Sequence, residues 1–218
     1  MEEICTDFIR ENRDLVRVKK QRTAVKNMLK IFESTVEISN RKGFKAMSVR
    51  DLSRATGLSM GGLYSFISSK NDLLDIIRVG YRIITRILTE AIAEVSDPHE
   101  KLHKLIQTHV YLSEAMRSLF YFVYMETRYL KKEAQKKSME MELFTEKLFT
   151  DILDEGCIRG QFHSVDTVLT AAAIKALLQD WYLKPWKYRQ RKITVEAYAQ
   201  FVTAIVDSYV LLSPATPE

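Results

Sequence analysis

The sequence contains few of the residues that interrupt regular structure or cross-link a fold. Its 218 residues include seven Gly, four Pro and two Cys. Two cysteines, Cys5 and Cys157, cannot form the disulfide framework of a small secreted domain, so a reduced, cytoplasmic setting is predicted. No stretch approaches 18 uninterrupted apolar residues, and the N-terminus lacks the basic and apolar regions of a signal peptide. We therefore expect neither a membrane partner nor export.

The apolar residues that are present recur with helical spacing. They make up 46% of the chain with aromatics included, enough for a sizeable core. Most recur three or four residues apart, whereas alternating β-branched segments are scarce. An all-α fold is predicted.

Basic residues are concentrated towards the N-terminus. The first 80 residues contain 15 Lys and Arg against 10 Asp and Glu, whereas the remainder contains 18 of each. Segregated positive charge is the electrostatic footprint of a protein that binds a phosphate backbone. A solvated basic surface would have the same composition. The charge asymmetry therefore indicates DNA binding only in combination with a DNA-binding motif.

Residues 48–74 supply a pattern of helix starts. Ser48 and Asp51 have the spacing of a capping box. In this motif the serine hydroxyl accepts a hydrogen bond from the backbone N–H three residues later, and the carboxylate at that position accepts one from the backbone N–H of the serine. Ser69 and Asp72 repeat this spacing. Together with a turn between them, these starts predict a helix-turn-helix followed by a third helix.

The middle helix of this stretch is short and contains two adjacent glycines. Gly57 is placed to end the preceding helix in a left-handed conformation, and Ser59 is the predicted N-cap of a helix running through Phe66. Gly61 and Gly62 each cost about 1 kcal/mol relative to alanine in a helix interior. A recognition helix whose backbone approaches DNA closely would explain that cost, and a loop is the alternative.

Residues 22–74 resemble the DNA-binding domain of TetR-family transcriptional regulators. The resemblance rests on the spacing of Phe32, Gly43-Phe44, Ser48, Leu52, Gly57-Leu58-Ser59, Gly61, Leu63-Tyr64, Ser69-Lys70 and Leu73-Leu74. Two positions depart from the family pattern. Gly62 replaces the usual Thr or Ser, which puts one phosphate or base contact in doubt, and Phe66-Ile67 replaces an aromatic-Phe pair.

The partner predicted for this domain is double-stranded DNA. The residues expected to face the major groove are Ser59, Met60, Gly61, Gly62 and Ser65. The resemblance further implies that Tyr64 and Lys70 hold phosphates, with Ser48 helping through its helix N-terminus. A palindromic operator is expected, because a two-fold symmetric protein binds a two-fold symmetric site.

Three segments are predicted along the chain. Residues 1–21 form an N-terminal extension, 22–74 the helix-turn-helix domain, and 75–218 a helical ligand-binding and dimerisation domain. The extension is either a short helix or a partly disordered arm. Its Arg17, Lys19 and Lys20 are candidates for minor-groove contacts, with a solvated tail as the alternative.

The C-terminal segment contains a densely aromatic region at 111–130. Such a region is either central in a helical bundle or lines a ligand cavity. The candidate ligand-binding residues are Phe120, Tyr121, Tyr124, Arg128 and Trp181. Residues 124–162, with Glu126, Arg128, Glu155-Gly156 and Gly160, are also similar to the regulatory domain of TetR-family repressors of fatty-acid degradation. This similarity implies a small apolar or acyl-CoA-like ligand.

The last two predicted helices are rich in alanine and apolar residues. Such helices favour an isologous two-fold interface. The family resemblance likewise implies a homodimer, in which the last two helices of each chain form a four-helix bundle.

No catalytic centre, metal site or cofactor is predicted. His99 and His103 are four residues apart, which suits a metal ion, but the sequence shows no third fixed ligand. Nucleophile motifs and phosphate-binding Gly-rich loops are missing as well. The expected function is therefore that of a ligand-responsive repressor rather than an enzyme. The first alternative is an all-helical interaction protein of the same fold that has lost DNA binding, and the second is an enzyme built in the C-terminal cavity.

Overall fold

The computed structural model describes residues 2–11, 16 and 20–211, and it confirms the all-α prediction. The α-helices are α1 (Glu2–Glu11), α2 (Gln21–Lys42), α3 (Val49–Thr56), α4 (Met60–Tyr64), α5 (Asp75–Ile92), α6 (Pro98–Ala115), α7 (Arg117–Glu126), α8 (Lys132–Ile158), α9 (Thr167–Leu183), α10 (Pro185–Gln190) and α11 (Val195–Val210). Two 3-10 helices cover Lys70–Leu74 and Thr127–Tyr129. Within the described ranges no strand forms, and only an isolated bridge joins Phe162 and Leu211.

The chain divides into two compact units. The first, which we call the head unit, comprises the described residues up to 83 together with 118–139. The second, the body unit, comprises 84–117 and the described residues from 140 onward.

The N-terminal helix belongs to the core of the head unit. Phe8 of α1 is fully buried and meets the ring of Phe32 edge-on, with ring centroids 5.0 Å apart. Arg82 donates to Asp7 (3.2 Å) and also pairs with Glu11. Part of the extension is therefore a packed helix. Of the residues proposed for the minor groove, Arg17 and Lys19 lie outside the described residues, and Lys20 is exposed just before α2.

The helix starts predicted at Ser48 and Ser59 are confirmed as side-chain caps, and three helices of the body unit begin in the same way. In each case the capping oxygen accepts from a backbone N–H three residues later. The caps are Ser48 with Asp51 (3.2 Å), Ser59 with Gly62 (3.0 Å), Asp97 with Glu100 (2.9 Å), Asp166 with Leu169 (2.9 Å) and Thr194 with Ala197 (3.2 Å).

The core of the body unit includes α6, which packs against α9 and α11. An aromatic cluster of Trp181, Tyr188 and Tyr198 closes one part of it, with the rings of Trp181 and Tyr198 stacked 4.8 Å apart. The short helix α10 was not predicted. Pro185, which ends α9, also starts α10, because proline fits the first position of a helix as well as it breaks an interior one.

None of the described helices combines the length and the apolar character that crossing a bilayer requires.

Candidate nucleic-acid interface

The first helix of the motif, α3, is fixed by a reciprocal cap. The backbone N–H of Ser48 donates to Asp51 Oδ2 (2.8 Å), and that of Asp51 donates to Ser48 Oγ (3.2 Å). Lys42 Nζ lies 2.7 Å from the same carboxylate. The hydrogen bond from Lys42, followed by those from Ser48, holds the pKa of Asp51 well below its usual range. The Ser48 hydroxyl is therefore engaged in orienting α3.

The turn after α3 is fixed by side-chain hydrogen bonds on both sides. Gly57 has φ +72°, a left-handed conformation that side chains disfavour. Ser53 Oγ donates to the carbonyl of Leu58 (2.7 Å). Thr56 Oγ1 donates to the carbonyl of Leu52 (2.7 Å) and accepts from the N–H of Leu58 (3.2 Å). These bonds set the direction in which the next helix leaves.

That helix, α4, ends two residues earlier than predicted. Ser65 Oγ donates to the carbonyl of Gly62 (2.6 Å), and the N–H of Phe66 bonds to the carbonyl of Leu63 (2.9 Å). The serine hydroxyl thus competes for a helical carbonyl and the chain tightens into a three-residue turn. Ile67, which follows this turn, is buried, as is Leu63.

One side of α4 faces solvent. Ser59, Met60 and Gly61 are exposed, and so is Tyr64, with 47% of its surface accessible. The other two residues expected to face the groove, Gly62 and Ser65, are half-buried.

The two glycines of α4 have different reasons to be glycine. A Cβ on Gly62 would lie 3.2 Å from Ser59 Oγ, so a side chain there would crowd the N-cap. A Cβ on Gly61 would have no heavy atom of the described residues within 4 Å. The fold itself therefore does not require glycine at position 61.

Lys70 is engaged within the head unit. Its ammonium group donates to the carbonyls of Phe44 (3.1 Å), Lys45 (3.1 Å) and Met47 (2.9 Å), and it lies 5.0 Å from the centroid of the Phe44 ring. An ammonium has three donors, and all three are used here. Lys70 therefore holds the segment that leads into α3, and a phosphate contact would require it to give up one of these bonds.

Other cations of the head unit remain exposed. They lie on α2, on α3 and between these two helices: Arg22, Lys26, Lys30, Arg41, Lys45, Arg50 and Arg54. Cations of this kind supply sequence-independent attraction to a phosphate backbone.

Glu126, at the end of α7, makes a contact within the head unit that the sequence did not indicate. It is buried, and its Oε1 accepts from the backbone N–H of Phe44 (3.2 Å). Burial raises the pKa of the Glu126 carboxyl, although the hydrogen bond from Phe44 opposes the shift. Its position beside an aromatic run gave no signal of a contact 82 residues away.

The predicted ligand-binding residues fall into both units. Phe120 is buried, Tyr121 half-buried, and Tyr124 and Arg128 are exposed, all in the head unit. Trp181 is buried in the body unit, where its Nε1–H donates to Glu114 Oε2 (2.9 Å) within the aromatic cluster. Phe120, Tyr121, Tyr124 and Arg128 thus lie along one segment of the head unit, whereas Trp181 packs in the core of the body unit.

An apolar face is exposed on the body unit. On α11 it includes Phe201, Ile205 and Tyr209, whereas Tyr198 of the same helix is buried. Beside Phe201 lies an open groove of about 900 Å³. Its lining includes Ala173, Ala176, Leu177, Ile193 and Ala197.

Lys175 of α9 is a buried cation that the sequence analysis missed. Its ammonium donates to Thr145 Oγ1 (2.9 Å) and lies 3.9 Å from Glu142 Oε1. Burial lowers the pKa of Lys175, partly offset by Glu142. Its position on the buried stripe with Ala171 and Leu178 was the available signal, because a lysine there is carried into the core.

A capped helix-turn-helix with an exposed second helix, set among exposed cations, defines a DNA-binding module. Two family models match the chain. "Bacterial regulatory proteins, tetR family" matches residues 31–77, and "Tetracyclin repressor-like, C-terminal domain" matches residues 95–206. The chain belongs to the TetR family of bacterial transcriptional regulators.

Individual relatives are distant. YfiR of Bacillus subtilis (strain 168), described as an uncharacterized HTH-type transcriptional regulator, is 27% identical over 157 residues, covering 67% of this chain and 73% of YfiR. The crystal structure of the TetR-family regulator PfmR from Thermus thermophilus is similar with a TM-score of 0.66 at 26% identity, covering 81% of this chain and 94% of that chain. FadR from Bacillus subtilis, solved in complex with stearoyl-CoA, shares the fold with a TM-score of 0.66 at 21% identity, covering 82% and 96%.

Proposed function

We propose that this regulator is a homodimeric repressor that binds a palindromic operator through α3 and α4 and is released by a small apolar ligand of the acyl-CoA type. The observation that carries the DNA-binding part is the exposed side of α4, where Gly61 leaves the backbone open. A main chain without a Cβ can approach phosphates or base edges closely.

In this proposal each part of the motif has a separate task. The cap at Ser48 and the turn at Gly57 orient the two helices, and Lys70 fixes the segment that precedes α3. Ser59, Met60 and Gly61 face the major groove, with Gly62 and Ser65 at the edge of that surface. The Tyr64 hydroxyl donates to a phosphate, and the exposed lysines and arginines add salt-dependent affinity.

The proposed dimer interface is the exposed apolar face of α9 and α11. Phe201 has 59% of its surface accessible, and exposed alanines beside it would let a second pair of helices approach closely. An apolar, self-complementary face suits a two-fold axis. Two heads related by that axis would read two half-sites of a palindrome.

The proposed ligand is supported by the aromatic segment of α7 and by nearby cations. Tyr124 is exposed there, and the Arg128 guanidinium lies 4.9 Å from the Tyr129 ring. Aromatic groups suit an acyl chain, whereas the phosphates of a CoA group need cations such as Arg128, Lys131 and Lys132 of the same unit. FadR, solved with stearoyl-CoA, is a protein of the same fold.

The head unit also offers a route from α7 to the DNA-binding motif. Glu126 accepts from the N–H of Phe44, and Asn40 Nδ2 donates to the carbonyl of Ser118 (2.9 Å). A ligand that favours a different placement of α7 would therefore bias the segment before α3. Such a ligand acts only through its differential affinity for the two states.

DNA binding is tested by titrating the protein with the DNA upstream of its own gene at several salt concentrations. We expect Tyr64→Phe to weaken binding by about tenfold on every sequence, since a hydrogen bond to a charged group contributes about 1.5–3 kcal/mol. Tyr129→Phe, at another exposed tyrosine of the head unit, is the matched control. A loss confined to one base position would contradict the phosphate contact, and no salt-dependent binding at all would favour the interaction protein.

The ligand is tested by adding long-chain acyl-CoA to a preformed complex with operator DNA. We expect release of the DNA at concentrations below micelle formation, with free CoA and the free fatty acid as controls. Retention of the complex throughout that range would contradict an acyl-CoA inducer. Mass spectrometry of ligand that copurifies with the protein would then identify the true one.

A further inference from the structure

Two histidines of the body unit converge on one carboxylate. His99 and His103 lie one turn apart on α6, and Asp207 lies on α11. The Nε2 of His99 is 2.9 Å from Asp207 Oδ1, and the Nε2 of His103 is 2.8 Å from Oδ1 and 2.9 Å from Oδ2. The two imidazole rings are 4.1 Å apart. The third ligand that the sequence did not show is therefore supplied by a residue 104 positions beyond His103.

The three side chains present a donor set typical of a divalent transition metal. Two imidazole nitrogens and one carboxylate oxygen are the protein ligands of many zinc sites that keep a fourth position open. One ligand atom from each residue lies within 4.8 Å of the others. A tetrahedral zinc ion with bonds of about 2.0–2.1 Å holds its ligands about 3.3 Å apart, so the two His–Asp distances of 2.9 and 2.8 Å need to lengthen by only about half an ångström.

The site is rigid but reachable. All three side chains are mounted on two helices that pack together, and α6 begins at a capped Asp97 with proline at its first position. The accessible fractions of the side chains are 33% for His99, 29% for His103 and 23% for Asp207. Solvent can therefore deliver an ion and provide a water as the fourth ligand, without rearrangement of a core.

A hydrogen-bonded cluster without metal is the competing explanation. A carboxylate needs only one imidazole to form a good charge-assisted pair. Here both rings turn the same nitrogen, Nε2, towards the same oxygen, Oδ1. This common orientation is what a shared ion between the three groups would select.

We propose that His99, His103 and Asp207 form a binding site for a divalent transition-metal ion, with zinc as the best-matched example. The ion would link α6 to α11, the helix that also exposes Phe201 and Tyr209. It would therefore stabilise the body unit, and this expectation does not depend on DNA binding or on the acyl ligand.

The test uses the full chain, freed of metal with a chelator and then titrated with ZnCl₂. We expect one zinc ion per chain by elemental analysis and a higher melting temperature with zinc. His99→Gln, His103→Gln and Asp207→Asn should each weaken zinc binding by about tenfold or more, since even residues that only support a metal ligand contribute about 10–100-fold. Co²⁺ should give the visible absorption of a tetrahedral site, and each site variant should lose it.

His163→Gln is the matched control, because His163 lies outside the trio and its ring nitrogens pair with backbone carbonyls. It should retain full zinc affinity. Asp207→Asn keeps the shape of the side chain, and circular dichroism verifies that each variant is folded. Zinc bound equally by the site variants and the control, or no stoichiometric binding at micromolar zinc, would overturn the proposal and leave a hydrogen-bonded His–Asp cluster.

Discussion

The two units expose helices of opposite character. In the head unit, α4 presents small and polar groups around Gly61, with one tyrosine beside them. In the body unit, α11 presents Phe201, Ile205 and Tyr209 next to alanines. A polyanion requires main-chain access and hydrogen-bond donors, whereas a second helix pair requires apolar area. In the proposed function, the same kind of element would serve two classes of partner, because the exposed faces of the two helices differ in composition.

The glycines of the two units show the same contrast. Gly156, in the body unit, is interior to α8, where an added Cβ would lie 2.0 Å from the Phe162 ring. Gly61 faces open space. Packing within the chain therefore explains the first glycine, whereas no contact among the described residues explains the second.

The largest expected effect is on the apolar face of the body unit. Phe201→Glu should weaken the dimer by about 100-fold or more, because an unpaired charge buried in an interface costs about 3–5 kcal/mol. Sedimentation equilibrium measures the change. Ile158→Glu, at an exposed apolar residue that ends α8, is the matched control and should remain dimeric. A Phe201→Glu chain as dimeric as the parent would contradict the proposed interface.

Gly156→Ala should destabilise the chain by about 1–3 kcal/mol, the usual cost of an overpacked core. Urea denaturation followed by circular dichroism measures the loss. Adding Phe162→Leu, which removes ring atoms at the point of the clash, should recover part of it. An unchanged unfolding midpoint would mean that Phe162 moves aside freely.

Gly61→Ala should have the opposite effect on stability. Alanine is favoured over glycine in a helix by up to about 1 kcal/mol, so the free energy of unfolding should stay the same or rise. Operator affinity should nevertheless fall by about tenfold, because the new methyl group occupies space that the DNA needs. Undiminished affinity in the more stable variant would show that the backbone at Gly61 does not approach DNA.

The smallest effect is expected from Glu126→Gln and depends on pH. Burial raises the pKa of Glu126 above its usual 4.5. At pH values between 4.5 and the raised pKa, the folded state therefore retains a proton that the unfolded state releases. Stability of the parent should therefore fall as pH rises from 4.5 through the raised value. Glutamine can still accept from Phe44 but carries no charge.

The variant should accordingly be the more stable chain at pH 7, with the advantage lost below pH 4.5. Thermal melts across this range measure the difference, and Glu133→Gln, at an exposed side chain of α8, is the control. A constant difference at all pH values would mean that the buried charge is not its cause.

Sequence reasoning succeeded where the interactions are local. The caps at Ser48 and Ser59 were predicted because donor and acceptor lie three residues apart. The end of α4 and the helix α10 were misjudged. Ser65 can continue a helix or compete for one of its carbonyls, and Pro185 can end one helix or begin the next. The sequence pattern is compatible with either outcome in both cases.

By itself, the sequence determined the helical class, the starts of α3 and α4 and the family resemblance of the N-terminal domain, because these depend on spacings of three and four residues. Only the tertiary structure decided that Lys70 is saturated by carbonyls, that Glu126 reaches Phe44, and that Asp207 joins His99 and His103. These contacts join residues between 23 and 108 positions apart. No periodicity encodes such pairs, since they form only when packed helices bring distant side chains together.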